Sequence, residues 1–400
     1  MTPPRPHPFA RSRMAERFDR AVEYMWERGW DEKPPLEPDY LWKIGSRGFD
    51  AADEMSIRSE EAVADFRERL EALCKALREE ADLNALGHAM AYGQITGAIR
   101  KRHALGRIWR EEPDLASTPI APPILVVGQM RSGTTRVQRL LAADPQHSGT
   151  RFCNSHDPVP SKPDLRPLKG RFALALARRI NPWLDTMHPF GSLRTDEEIG
   201  WLAAALSPAT FEAQWRIDSF VAFSEGRDQA PIYREFARIL RTDAATMGDA
   251  GKPRVLKCPQ FAEDLGPLLD QFPDARLVVC ERDHEEVLAS SISMTASQMA
   301  FQSDNHDIEW LQEAWARKIA VRQAAMDAAL EEFEGPVAHI AFSALNANWR
   351  SAIMQAYLTL GMPLPDQSLA AITAEREKSA RDPHGRHATQ IANFGSAARA

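Results

Sequence analysis

Between Ile124 and Leu141 a short apolar, β-branched run, Ile124-Leu-Val-Val127, gives way to a loop with two glycines and then to Val137, Leu140 and Leu141 at helical spacing. This reads as strand, loop, helix. The loop, Gly128-Gln-Met-Arg-Ser-Gly-Thr-Thr135, has the G-x-x-x-x-G spacing of a phosphate-binding turn and its closing hydroxyl residue. Such a turn aims successive backbone N–H groups and the positive end of a helix at one point, which suits a phosphate. Thr134 stands where a nucleotide triphosphatase carries its lysine. The loop therefore lacks the charge that reaches the β- and γ-phosphates of ATP, and favours a ligand with fewer phosphate charges at this point. Arg131 is placed to supply part of that charge. A tight turn with no ligand is the alternative for an isolated motif of this length.

The rest of the chain fits a parallel sheet around this turn. Arg254–Lys257, Ala275–Cys280 and Val337–Phe342 are further strand candidates, each followed by a helical pattern: 262–271, 284–300 and Trp349 to Leu360. A long helical pattern from Ile308 to Phe333 precedes the last strand. Strands alternating with helices imply an α/β fold, a parallel sheet flanked by helices. Before it, apolar residues from Val63 to Ile99 recur at three- and four-residue steps, giving an amphipathic helical lobe that ends at the prolines of 113–123. The expected organisation is a helical N-terminal extension over 1–118 and an α/β domain over 119–400, with a helical acceptor-binding insertion at about 150–250. Residues 1–10 are Pro-rich and read as a frayed end, and Pro34, Pro35 and Pro38 separate two helical patterns.

Bulk properties narrow the partners. A chain of 400 residues with 44% apolar and 26% charged residues has the makeup of an ordinary globular protein. Its net charge of −7 argues against a broad nucleic-acid surface, because such binding neutralises many phosphates with Lys and Arg. A single basic pocket for a small anion remains compatible. Cys74, Cys153, Cys258 and Cys280 are far apart, form no C-x-x-C pair and read as reduced thiols. There is no apolar leader and no uninterrupted apolar run of about eighteen residues, so the expected location is cytoplasmic, without a transmembrane segment.

The run Pro-Ile-Leu-Val-Val-Gly-Gln-Met-Arg-Ser-Gly-Thr-Thr135 resembles the phosphosulfate loop of sulfotransferases that use 3′-phosphoadenosine-5′-phosphosulfate (PAPS). The resemblance implies a sulfotransferase with a P-loop-NTPase-like fold and PAPS as co-substrate, with Arg131, Ser132, Gly133, Thr134 and Thr135 wrapping the 5′-phosphate and its sulfuryl group. A second segment, Phe272 to Ser290, has Arg282 at a strand end and Ser290 two turns into the next helix. That spacing is similar to the family's pair for the 3′-phosphate, and a guanidinium with a hydroxyl donor is good phosphate chemistry. Lys257, in Val-Leu-Lys-Cys-Pro-Gln, resembles the lysine set against the donor's bridging oxygen, where negative charge builds as the S–O bond breaks.

The acceptor side is less determined. A base must take the acceptor's proton, and many bacterial members carry a Lys-x-Pro-x-His pattern, but this chain has Phe261 at the last position. The segment Met187-His188-Pro … Asp196-Glu197-Glu198 resembles the family's His-Pro and Glu-Glu stretch, so His188, Glu197 and Glu198 are candidate bases. Thr195 to Glu198 also has the form of a capping box. Trp201, Phe211, Trp215, Phe220 and Phe223 are candidates for an apolar acceptor pocket or for core packing. The basic run Arg166, Lys169, Arg171, Arg178 and Arg179 reads as a solvated helix face, with an acidic-substrate or lipid-headgroup site as the other reading. In the tail, Asp382 to Gly395 resembles a family C-terminal pattern in which Arg386 or His387 closes over the nucleotide.

The expected partner is a small-molecule, lipid or glycan acceptor, with no nucleic acid and no metal; oligomeric state is not set by the sequence. Two other readings stay open. One is a Mg-dependent P-loop kinase or NTPase, with Glu281 or Asp283 as the metal-holding carboxylate. The other is a catalytically inert, sulfotransferase-like nucleotide-binding protein.

Overall fold

The computed structural model describes residues 5–380; the tail segment with Arg386 and His387 lies outside the described residues. Five parallel strands form one sheet: β1 (Ile124–Val127), β2 (Ser148–Gly149), β3 (Arg254–Leu256), β4 (Arg276–Glu281) and β5 (Val337–Ala341), in the order β2-β3-β1-β4-β5. β1 pairs with β3 through Ile124–Val255 and with β4 through Ile124–Arg276, every pairing being parallel. The four strands read from the sequence are present within a residue or two. The two-residue β2 was not read.

The central strands β1, β3 and β4 are buried on both faces and read as largely apolar runs, whereas the edge strand β5 alternates, with His339 exposed. Leu125, Val127, Leu256, Leu277 and Val279 face one core, with Phe236 and Leu240 of helix Ala230–Met247 and Leu265 and Leu268 of helix Leu265–Gln271. Ile124, Val126, Val255, Val278 and Cys280 face the other, with Val137 and Leu140 of helix Thr134–Ala142 and Ile353 and Tyr357 of helix Trp349–Thr359. Helices therefore cover both sides of a parallel sheet.

The helical lobe consists mainly of Glu60–Glu79 and Ala85–Glu111. Its core, Phe66, Leu70, Leu73 and Ile95, packs with Leu206, Phe211, Trp215 and Phe220. At the far end of the long helix, Trp109 joins the sheet-side core and donates from Nε1 to Thr242 Oγ1 at 2.8 Å. The expected frayed start is not seen over the described residues 5–10: Arg5 is buried, and its Nη2 donates to Ser293 Oγ at 2.5 Å. The four cysteines are free and buried.

In an open parallel sheet, ligands bind beyond the carboxyl ends of the strands, where successive connections leave in opposite directions. Here that point lies at β1, flanked by β3 on one side and β4 on the other. The residues that leave these strand ends are Gly128, Lys257 and Arg282, and Phe342 follows β5 directly.

Candidate active site

A cavity of about 450 Å³ lies at this edge of the sheet. Its wall includes Arg131, Gly133, Thr134 and Thr135 from the loop, Lys257 after β3, Arg282 after β4 and Phe342 after β5. The loop is shaped by backbone conformations that few residues adopt. Gly133 has φ 94°, and a side chain there would place a Cβ 2.7 Å from Phe342 Cδ2; Gly128 has φ 143°, with Cys280 O only 2.5 Å from where a Cβ would sit. Only glycine meets both demands. Gly133 is the N-cap of helix Thr134–Ala142, and no side chain caps that helix start. Its first residues, Thr134 and Thr135, face the cavity, so the helix presents its positive end there.

Arg131 is itself in the left-handed region, φ 73°. Its Nε donates to Ser290 Oγ at 2.9 Å and its Nη1 to Met187 O at 2.9 Å. Arg282 donates from Nη1 to Arg131 O at 2.9 Å and from Nε to Glu286 at 2.7 Å, with its guanidinium 4.3 Å from the centre of the Phe342 ring. Burial and the neighbouring Arg282 push the Arg131 guanidinium down to about 10, with Glu197 opposing. Arg282 thus lines the cavity directly. Ser290, buried on helix His284–Met299, meets it through Arg131. Ser132 is buried and turned inward, donating to Gln129 O at 2.7 Å.

The structure separates two adjacent carboxylates that the sequence could not. Glu197 lines the cavity and its carboxylate is paired with Lys257 Nζ. Glu198 is fully buried and accepts from the Lys257 backbone N–H at 2.7 Å, so it holds the strand end rather than facing the cavity. Burial pushes the Glu198 carboxyl up to about 8 against that hydrogen bond. The expected capping box does not form: helix Ile199–Ala203 has Glu198 as N-cap, with no side-chain cap bond.

His188 is on the cavity wall, with Nε2 2.9 Å from Asp196 Oδ1 and the ring stacked 4.3 Å from Phe190. Burial pushes the Asp196 carboxyl up, but His188, Arg139 and the Glu197 N–H more than reverse this and hold it well below the usual carboxylate range. Arg139 fixes the segment by donating to Thr195 O at 3.0 Å and Pro189 O at 2.9 Å.

Several residues on this wall were not singled out from the sequence: Arg136, Arg139, Met130, Met294, Asn346 and Arg376. Arg136 and Arg139 carried a signal, as cations in the helix directly after the loop. Arg376 carried none, being brought over from helix Asp366–Ser379. Among the described lining residues, Arg131, Arg136, Arg139, Lys257, Arg282 and Arg376 are cationic and Glu197 alone is a carboxylate. The wall of the cavity is predominantly cationic.

The remaining candidates lie away from this cavity. Phe261 does not face the cavity; it is fully buried 5.6 Å from Phe236, edge to face. Trp201, Phe211, Trp215 and Phe220 are core residues, and none of them, nor Phe223, lines this cavity. Glu281 pairs with His339 at 2.7 Å, and Asp283 caps its helix by accepting from the Glu286 N–H at 3.1 Å. Neither lines the cavity where a Walker-type carboxylate would be needed. Of the basic run, Arg166 is buried rather than solvated, paired with Asp164 at 2.8 Å. Two other concavities lie elsewhere: about 780 Å³ beside Pro113–Pro123 and Arg238, and about 530 Å³ beside Trp215 and Trp310.

A sequence model of the sulfotransferase family matches residues 122–366, which span the loop, Glu197, Lys257, Arg282 and Ser290. The chain belongs to the sulfotransferase family. No curated protein matches it. Among solved structures it is similar to sulfotransferase STF1 from Mycobacterium tuberculosis H37Rv, at 23% identity over 91% of this chain and 100% of that one, TM-score 0.74. It is also similar to sulfotransferase STF9 from Mycobacterium avium, at 18% identity over 86% and 88% of the two chains, TM-score 0.75. These likenesses establish the shared fold of the sulfotransferase chains.

Proposed function

We propose that this sulfotransferase uses PAPS as donor and transfers its sulfuryl group to a hydroxyl or amine of a small-molecule, lipid or glycan acceptor. The observation that carries this reading is the 450 Å³ cavity, where a glycine turn, an uncapped helix start and six cationic side chains meet with one carboxylate. In the proposed roles, Arg131, Gly133, Thr134 and Thr135 receive the 5′-phosphosulfate and Arg282 receives the 3′-phosphate, with Ser132 shaping the loop and Ser290 joining the phosphate site beside Arg131. An anion beside the desolvated Arg131–Arg282 pair offsets the repulsion between the two guanidinium groups.

In the proposed reaction the acceptor oxygen or nitrogen attacks sulfur as the bond from sulfur to the 5′-phosphate oxygen breaks. The bonding pair leaves with that oxygen, where Lys257 stabilises the growing charge. The acceptor proton passes to Glu197. Before the donor arrives, Lys257 and Glu197 neutralise each other. Donor binding gives Lys257 a phosphate oxygen to engage and releases Glu197 to act as base. Glu198, turned inward onto the Lys257 backbone, positions the lysine, and His188 is held by Asp196.

A PAPS-consumption assay over a panel of phenolic, glycan, lipid and amine acceptors tests the reading. Formation of 3′-phosphoadenosine 5′-phosphate (PAP) with matching acceptor sulfation supports it, and donor binding with no transfer to any acceptor class supports an inert binder instead.

A further inference from the structure

Helix Arg166–Ile180 packs inward through Arg166, Gly170 and Leu174 and turns an apolar stripe outward. Phe172 is 76% exposed, Leu168 65%, Leu165 49% and Leu176 42%. At 100° per residue these four side chains fall within an arc of about 80° on the outer face. Leu193, 59% exposed, stands beside Ser192, whose Oγ donates to Pro167 O at 2.7 Å and so fixes that loop against the helix. Large apolar side chains exposed in a contiguous group mark an interaction surface, whereas scattered ones do not.

The charged residues on the helix itself are all cationic, and three of them are met by aspartates from neighbouring segments. The helix carries Arg166, Lys169, Arg171, Arg178 and Arg179 and no acidic residue, in a chain whose net charge is −7. Arg166, Lys169 and Arg178 are paired with Asp164, Asp157 and Asp185. Lys162, Arg171 and Arg179 are exposed, and none is in an ion pair among the described residues. The face borders none of the three cavities described above.

We propose that this helix face docks the protein on an anionic lipid bilayer surface, with the leucine–phenylalanine stripe entering the headgroup region and Arg171, Arg179 and Lys162 engaging lipid phosphates. A convex apolar stripe flanked by cations fits a planar negative surface. A second copy of the same face would bring like charges together. No described helix is long and apolar enough to cross a membrane, so the attachment is peripheral. The face is mechanically tied to the cavity: Arg178 binds Asp185 and donates to Phe190 O at 2.9 Å, and Met187, His188 and Pro189 between them form cavity wall.

Co-sedimentation of the full chain with vesicles of phosphatidylcholine, with and without phosphatidylglycerol, tests the proposal. The wild type should pellet with the phosphatidylglycerol vesicles and be released as salt is raised. Phe172→Asp should abolish pelleting while its melting temperature and its stabilisation by PAP stay at the wild-type level, which establishes that it folds. Arg171→Ala/Arg179→Ala should weaken partitioning about thirty-fold, two cations at about 1 kcal/mol each. No pelleting, equal pelleting with uncharged vesicles, or full binding by Phe172→Asp would overturn it. So would a dimer in sedimentation equilibrium that Phe172→Asp disperses without any vesicle binding.

Discussion

Two clusters of charge lie within this fold, and they differ in how they are closed. In one, Lys318 Nζ meets Glu212 at 3.1 Å, Glu225 at 3.0 Å and Glu263 at 2.7 Å, while Arg322 meets Glu212 at 2.5 Å and Glu263 at 3.4 Å. Three carboxylates and two buried cations, with Arg317 at the rim, complete one another. In the other, around Gly133, six cations line a cavity and meet three carboxylates, Glu197 on its wall and Asp196 and Glu286 beside it. A network that satisfies itself fixes helix Ile308–Glu332 against its neighbours, whereas a surplus of one sign around an empty volume calls for a ligand of the other. Charge density alone would rank the two alike; stoichiometry separates them.

The largest effect should come from opening the closed network. Lys318→Met leaves three buried carboxylates without their shared cation and should lower unfolding free energy by about 3–5 kcal/mol, with the Kd for PAP unchanged. Chemical denaturation beside calorimetry checks both halves. A nucleotide-affinity loss without a stability loss would merge the clusters into one site. Next, Lys257→Ala should lower kcat about 100- to 1000-fold with PAP binding retained, because it removes charge stabilisation developed in the transition state. Unchanged turnover would remove Lys257 from the chemistry.

Arg282→Ala should weaken PAP binding by about 1.5–3 kcal/mol, the range of a hydrogen bond to a charged group, and should affect adenosine 5′-phosphate much less. An equal loss for both nucleotides would place Arg282 away from the 3′-phosphate. A fourth prediction concerns the pH dependence that Glu198 confers. Its folded-state value of about 8 lies above the ordinary 4.5, so the folded protein holds the proton more tightly than the unfolded chain. That contribution is complete below about pH 4.5 and is lost as pH rises through about 8. The melting temperature of the wild type should therefore fall relative to Glu198→Gln across that interval, and parallel pH profiles would contradict the assignment.

The sequence showed the sheet because β1, β3 and β4 are buried on both faces and so stand out as largely apolar runs. β2 escaped because Ser148–Gly149 is short, polar and at the edge. Much of the cavity wall was legible for a related reason: Arg131, Gly133, Thr134, Thr135, Lys257 and Arg282 all follow strand ends, where a parallel sheet delivers side chains to its binding edge. What stayed hidden depends on tertiary direction. Glu197 and Glu198 are neighbours of one chemical type, and it is partners distant in sequence, the Lys257 backbone 59 residues away and the Thr150 hydroxyl, that hold Glu198 inward. Phe261 drew attention as a missing base, yet its ring packs in the core against Phe236. Arg376 reaches the cavity from a helix with no local motif.

Titration calorimetry with PAP in the presence of a chelator, against Mg-ATP as competitor, addresses the central claim most directly. The account predicts one site per chain for PAP without metal, weakened by Arg282→Ala and not displaced by Mg-ATP. Binding of Mg-ATP alone, or of PAP with no sensitivity to Arg282, would contradict it.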